Sequence, residues 1–163
     1  MIPFARSPFP VDRQQRRRCL GALGLLAMPL WAAPPEAPRV EVWKSPTCGC
    51  CGDWIRHLAS NGFVTQVHEV ADPAAVRERW GIAPRFGSCH TAVVAGYAIE
   101  GHVPAREIRR LLKERPTAIG LAVPGMPIGS PGMDGPAYGG RKDAFDVLLL
   151  AQGGRSSVYQ SYR

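Results

Sequence analysis

The chain has 163 residues and a mass of 17.7 kDa, with 45% hydrophobic and 20% charged residues, which fits one compact domain with appendages and excludes a disordered chain. Lys and Arg number 20 against 13 Asp and Glu, a net charge of +7. Much of that excess sits at one end, which removes the first argument for a nucleic-acid-binding protein.

Residues 1–32 carry Arg6, Arg13, Arg16, Arg17 and Arg18 against Asp12 alone, followed by an apolar run from Cys19 to Met28. A membrane-crossing helix needs about 20 such residues, and this run is shorter. It closes in small residues at Ala32 and Ala33, so residues 1–32 read as a secretory signal peptide cut near Ala32, Pro34 disfavouring a cut after Ala33. Arg16-Arg17-Arg18 before Cys19-Leu20 also satisfies a loose twin-arginine pattern, the route for proteins exported already folded. Ordinary secretion with a basic start explains the same residues. Cleavage leaves 15 basic and 12 acidic residues, with no block of like charge and no stripe of Arg and aromatics. The mature chain is therefore expected to be periplasmic or secreted, with no nucleic-acid partner and no membrane attachment.

Residues 33–39 form a Pro-rich linker, and the alternating segment Val40 to Ser45 reads as a strand leading into Pro46-Thr-Cys-Gly-Cys-Cys-Gly52. A helix follows, with Ile55, Leu58 and Ala59 on one face, Thr47 as its expected cap and Asn61-Gly62 as its stop. Residues 63–70 predict a second strand, and Asp72-Pro73 opens a short helix ending at Trp80-Gly81. After a loop come Cys89-His90 and a tight hairpin, Thr91 to Ala95, Gly96, and Tyr97 to Glu100. Pro104 starts the next helix, buried through Ile108, Leu111 and Leu112, with Arg110 and Glu114 paired outside and Pro116 as its end.

That order predicts an α/β single domain of thioredoxin- or glutaredoxin-like fold over residues 40–115, by analogy of fold and not of chemistry. Between Pro116 and Gly140 there are 5 Pro and 7 Gly. Residues 116–143 therefore predict a loop, packed on the domain through Leu121, Val123, Met126, Ile128 and Met133. Residues 144–163 predict a C-terminal hairpin or tail.

The chemistry lies in the cysteines. Without Cys19 four remain: Cys48, Cys50, Cys51 and Cys89. In an oxidising compartment four cysteines can form two structural disulfides. In a thioredoxin-type fold, however, Cys48 would start a helix, where free N–H groups and the helix dipole favour thiolate over thiol, and Cys51 would lie one turn later on the same face. Such a pair exchanges a disulfide or binds a soft metal ion. Cys50 adjoins Cys51, and neighbouring cysteines bridge each other only with strain. It is therefore free, ligated, or paired with a distant partner such as Cys89.

Cys89 discriminates, because it falls just before the hairpin strand, where thioredoxin-like oxidoreductases carry a cis-proline facing the active cysteines. Ser88-Cys-His-Thr91 would bring a thiol and an imidazole to that turn. Three or four sulfurs with an imidazole form a ligand set for Cu(I) or Zn(II), whereas an exchange enzyme needs only two cysteines. The expected metal ligands are Cys48, Cys50, Cys51, Cys89 and His90. Met126, a soft thioether in Pro124-Gly-Met126, and His102 are further candidates, each with a competing structural reading. For Met126 and Met133 that reading is core filling. For His102 it is capping the helix, bonding Glu100 or a place on the surface. His57 and His68 read as solvated, and Trp43 and Trp54, which flank the cysteine turn, as core or rim aromatics, although an apolar wall there would shield bound Cu(I) from water. No serine triad, phosphate-cradling glycine loop or zinc-protease helix motif is present.

Several stretches together, Lys44-Ser-Pro-Thr-Cys-Gly-Cys-Cys-Gly-Asp-Trp54, Ser88-Cys-His-Thr-Ala92, Glu100-Gly-His-Val-Pro-Ala105 and Gly120-Leu-Ala-Val-Pro-Gly-Met-Pro-Ile-Gly-Ser-Pro-Gly-Met133, resemble the bacterial family filed as domain of unknown function 411. The resemblance covers about residues 40–134. It implies an exported, metal-binding protein of copper-resistance settings; together with the soft ligands it favours Cu(I) over zinc, and a site on a surface turn is expected to let the sulfurs of another periplasmic copper protein exchange in. The competing expectation is a periplasmic thiol–disulfide oxidoreductase, with Cys48 as attacking and Cys51 as resolving thiol.

Overall fold

The structure, a computed structural model, describes residues 36–163, so the expected signal peptide at 1–32 lies outside the described residues. Alternation of apolar and polar residues makes β1 (Arg39–Lys44), in which Val40 and Val42 turn fully inward. The chain then turns through Pro46 into α1 (Gly49–Ser60), which buries Cys51, Trp54 and Leu58. It ends at Asn61, with Gly62 at a φ of 75°. The expected Thr47 cap is not used: Cys48 holds the N-cap position without a side-chain hydrogen bond, and the Thr47 hydroxyl meets that of Ser45 instead.

The order continues with β2 (Val64–Glu69), α2 (Ala74–Arg79), β3 (His90–Val94), β4 (Tyr97–Glu100) and α3 (Ala105–Glu114). Asp72 accepts a hydrogen bond from the Ala74 N–H and so opens α2, as its place before Pro73 predicts. Ala95 and Gly96 both take positive φ, giving the two-residue turn that matches the twist of antiparallel strands. Arg110 reaches Glu114 at 2.8 Å on the outer face of α3.

The segment 116–143, expected to be loop, contains a short strand, β5 (Gly120–Ala122). It pairs parallel to β4 and antiparallel to β6 (Phe145–Leu150), and β6 pairs with β7 (Ser156–Tyr162). Residues 144–163 are thus a hairpin, and among the described residues they extend one mixed sheet of seven strands, ordered β2-β1-β3-β4-β5-β6-β7. The reason is backbone pairing: β5 is hydrogen-bonded on both sides, which a three-residue apolar run can satisfy without any visible periodicity.

Helices α1 and α3 pack Trp54, Leu58, Ala105, Ile108 and Leu111 on one face of the sheet, against Val40, Val42, Ala92, Val94, Ile99 and Leu121. Ile82 and Phe86 cover the other face over Ala98, Ala122 and Leu150. Lys44 pairs with His90 across the β1–β3 ladder. The chain leaving β1 towards Cys48 and the chain reaching β3 through Cys89 therefore meet at the same end of the sheet. Among the described residues no helix is long and apolar enough to cross a membrane.

Candidate metal centre

Four sulfurs converge at that end. Cys48, Cys50 and Cys51 come from the first turn of α1, and Cys89 from the loop before β3, with all four Sγ atoms within 4.8 Å of one another. Cys48 and Cys51 are joined as a disulfide with their Cα atoms 5.4 Å apart, while Cys50 and Cys89 are free. The Cys89 sulfur lies 3.5 Å from that of Cys51 and 3.9 Å from that of Cys50, and Cys50 is 3.6 Å from Cys48. Cys51 is fully buried, and the other three are partly exposed.

A second donor set shares Cys89. Its sulfur is 3.4 Å from Nδ1 of His90 and 3.1 Å from Nε2 of His102, and both rings are fully buried. His102 is therefore neither at the surface nor bonded to Glu100, two of its expected roles. Its Nδ1–H donates to the Pro131 carbonyl at 2.8 Å, which fixes the tautomer and leaves the Nε2 lone pair facing Cys89. The Pro131 carbonyl is delivered by a close approach of chain segments. A Cβ on Gly132 would stand 2.7 Å from the Trp54 nitrogen and 2.8 Å from the Cys50 carbonyl oxygen, so only glycine lets this loop lie on the start of α1.

Trp54 walls the site. Its indole N–H donates to the Val103 carbonyl at 2.8 Å, and its ring lies 4.3 Å from that of His90. Burial, with His102 nearby, lowers the His90 pKa to about 3, and burial likewise lowers that of His102. Both imidazoles are neutral at pH 7, the form that ligates metal. Burial and the adjacent Cys50 push the Cys89 thiol up to about 12. A metal ion binding there must displace a proton.

These shifts give a pH prediction for the metal-free chain. Below about pH 6.5 an unfolded chain takes up a proton that buried His90 refuses until about pH 3, so stability falls with pH through that interval, by at most about 1.4 kcal/mol per pH unit. His102 acts in the same direction. Urea unfolding midpoints should drop from pH 7 to pH 4.5, with a shallower drop in His90→Gln; a midpoint that does not change with pH would contradict the buried neutral imidazole.

The remaining candidates divide. Met126, expected among the residues that pack the 116–143 loop on the domain, is instead 51% exposed. It follows Gly125, whose carbonyl accepts a hydrogen bond from the Ser88 hydroxyl next to Cys89. Met133 is buried, with its sulfur accepting from Tyr138, and is core filling. His57 is not simply solvated: half-buried, it accepts the Ala105 N–H at the start of α3 through Nε2. His68 stacks on Trp43, ring centres 4.9 Å apart.

Sequence reasoning missed Glu100 and Arg77. The buried Glu100 carboxylate accepts from Arg77 at 2.8 Å, from the Ser88 N–H at 2.7 Å and from the Thr91 hydroxyl at 2.7 Å. Burial raises its pKa against the opposing pull of these donors. The available signal was a glutamate at the end of an otherwise apolar strand, which requires a partner once buried.

The chain is 47% identical to copper resistance protein copG in two solved forms. Form 2 matches with a TM-score of 0.73, over 78% of this chain and 100% of that one. Form 1 matches with a TM-score of 0.72, over 78% and 98%. A family model described as "Protein of unknown function, DUF411" matches residues 86–133. The chain belongs to the DUF411 family. No curated protein matches it. The match of the DUF411 model begins at Phe86 and includes Cys89, His90 and His102, and the solved copG chains extend the likeness well beyond it.

The donor chemistry of this DUF411 chain suits a soft cation. Thiolates and neutral imidazoles prefer Cu(I) and Zn(II) over hard ions. A disulfide removes two of the sulfurs, so metal and the Cys48–Cys51 bridge compete for the same atoms.

Proposed function

We propose that this is an exported, periplasmic copper-binding protein that takes up Cu(I) in its reduced state and buffers it or passes it on, contributing to copper resistance. Copper is the cargo. Cys48, Cys50, Cys51 and Cys89 supply the sulfurs, with His90 and His102 completing the set at Cys89. The observation that carries the reading is that Cys89 joins two donor sets, the sulfurs of the cysteine turn of α1 on one hand and two neutral, buried imidazoles on the other. The name of the two relatives, copper resistance protein copG, favours copper over zinc. The neighbouring strands β2, β1, β3 and β4, with α1 and α3 on one face, support a thioredoxin-like core carrying this site. Partial exposure of Cys48 and Cys50 lets the sulfurs of a periplasmic copper protein exchange in.

The test is anaerobic competition of the reduced chain against a chromophoric Cu(I) chelator, with the same chain carrying four alkylated cysteines as reference. Stoichiometric uptake by the reduced chain alone is expected; equal retention by both would overturn the reading.

One observation favours a second reading, a thiol–disulfide oxidoreductase: the bridge between Cys48, partly exposed at the N-cap of α1, and Cys51, buried one turn later. Turnover in a disulfide-reduction assay that is lost in Cys48→Ser, without dependence on copper, would establish it in place of metal handling.

A further inference from the structure

Three of the four sulfurs lie on one turn of α1 and are placed by that helix, whereas Cys89 reaches them from a loop 38 residues away from Cys51. No proline stiffens residues 88–91. With Cys89 taken as a copper ligand, as the proposed function has it, we infer that Glu100 and Arg77 are positioning residues that clamp its backbone and so set the affinity of the site.

The clamp grips both polar groups of Ser88. Its N–H donates to Glu100 Oε1 at 2.7 Å, and its carbonyl accepts from Arg77 Nη2 at 3.0 Å. Arg77 Nε closes the ring by donating to the same carboxylate oxygen at 2.8 Å. On the far side of Cys89, the Thr91 hydroxyl donates to Glu100 Oε2 at 2.7 Å. Cys89 is thus bracketed by two residues, Ser88 before it and Thr91 two positions after it, that one carboxylate holds. Gly101 presses from the other side: a Cβ there would stand 2.6 Å from the Ser88 side chain and from the Val123 carbonyl oxygen.

Stability does not explain such a pair. Taking a carboxylate and a guanidinium out of water costs several kcal/mol per ion, and apolar side chains of similar volume hold a core at least as well. Apolar side chains cannot, however, bind a backbone N–H and a backbone C=O at once. The ion pair does this and also meets the demand that buried polar groups be satisfied. Fixing the backbone before the metal arrives removes an ordering cost from binding, and partners that orient metal ligands typically matter by 10–100-fold in affinity.

The experiment is a double-variant cycle on the reduced full chain, read by Cu(I) competition: wild type, Glu100→Ala, Cys89→Ser and the double variant. Glu100→Ala is expected to lower affinity by about 10–100-fold, and to add nothing once Cys89 is serine. Glu100→Gln, which keeps an oxygen for Ser88, should retain most of the affinity. An equal loss with and without Cys89, or no loss at all, would show Glu100 to be structural only.

A metal-free readout separates this inference from the copper reading: the rate of Cys89 alkylation by iodoacetamide, located by mass spectrometry. It should rise several-fold in Glu100→Ala and stay at the wild-type rate in Val147→Ala, a cavity variant in β6. A rise in both, or in neither, would overturn the clamp. Where Glu100→Ala does not fold, Thr91→Val removes one arm and should raise the rate by a smaller factor; an unchanged rate there would overturn the clamp equally.

Discussion

Cys89→Ser should cost the reduced chain at least about a hundredfold in Cu(I) affinity, equivalent to about 2.8 kcal/mol at 1.4 kcal/mol per tenfold. Among the described residues Cys89 is the one shared by the two donor sets, lying 3.5 Å from Cys51, 3.9 Å from Cys50, 3.4 Å from His90 and 3.1 Å from His102. Serine nearly matches its volume but replaces a soft, polarisable donor with a hard one that Cu(I) binds poorly. The substitution therefore removes the bridge between the sulfur and imidazole groups while leaving the loop held by Glu100. Thermal unfolding of the metal-free chain should change little, because the thiol is partly exposed and core packing does not depend on it. Competition titration beside a melting curve checks both halves; unchanged affinity would remove Cys89 from the site.

Trp54→Ala should destabilise the chain by about 3–5 kcal/mol, the usual cost of truncating a buried tryptophan. That is a large share of the 5–15 kcal/mol that holds a typical domain. Trp54 is fully buried, bonds the Val103 carbonyl and covers His90 at 4.3 Å. Its loss leaves a cavity, an unpaired carbonyl and a route for water to the imidazole. Desolvation is the main cause of the low His90 pKa, so that value should climb from about 3 towards 6.5. Urea unfolding measures the first effect and NMR titration of the His90 ring the second. A destabilised variant with an unmoved His90 would show that the indole packs the core without shielding the site.

How far the site can be read from the sequence depends on the range of the interactions involved. The cysteine turn between a strand and a helix, the hairpin at Ala95-Gly96 and the apolar faces of α1 and α3 arise from contacts a few residues apart, and their residue types announce them. His102 shows the limit. Its neighbours Gly101 and Val103 suggest only a turn before a helix, yet it is buried because Pro131, 29 residues on, offers it a carbonyl. β5 shows another: Gly120-Leu-Ala122 lies in a Gly- and Pro-rich stretch and becomes a strand only because β4 and β6 flank it.

The sequence by itself determined the inventory of this DUF411 chain: which soft donors it has, three of them on one helical turn, and the elements that flank them. Composition and local spacing are properties of the chain before it folds. The tertiary structure alone decided that position 89 meets that turn, that His90 and His102 are buried and neutral, and that Glu100 faces Arg77 across Ser88. Those outcomes depend on which strands lie side by side and on the exclusion of water, and both arise only when distant segments pack together.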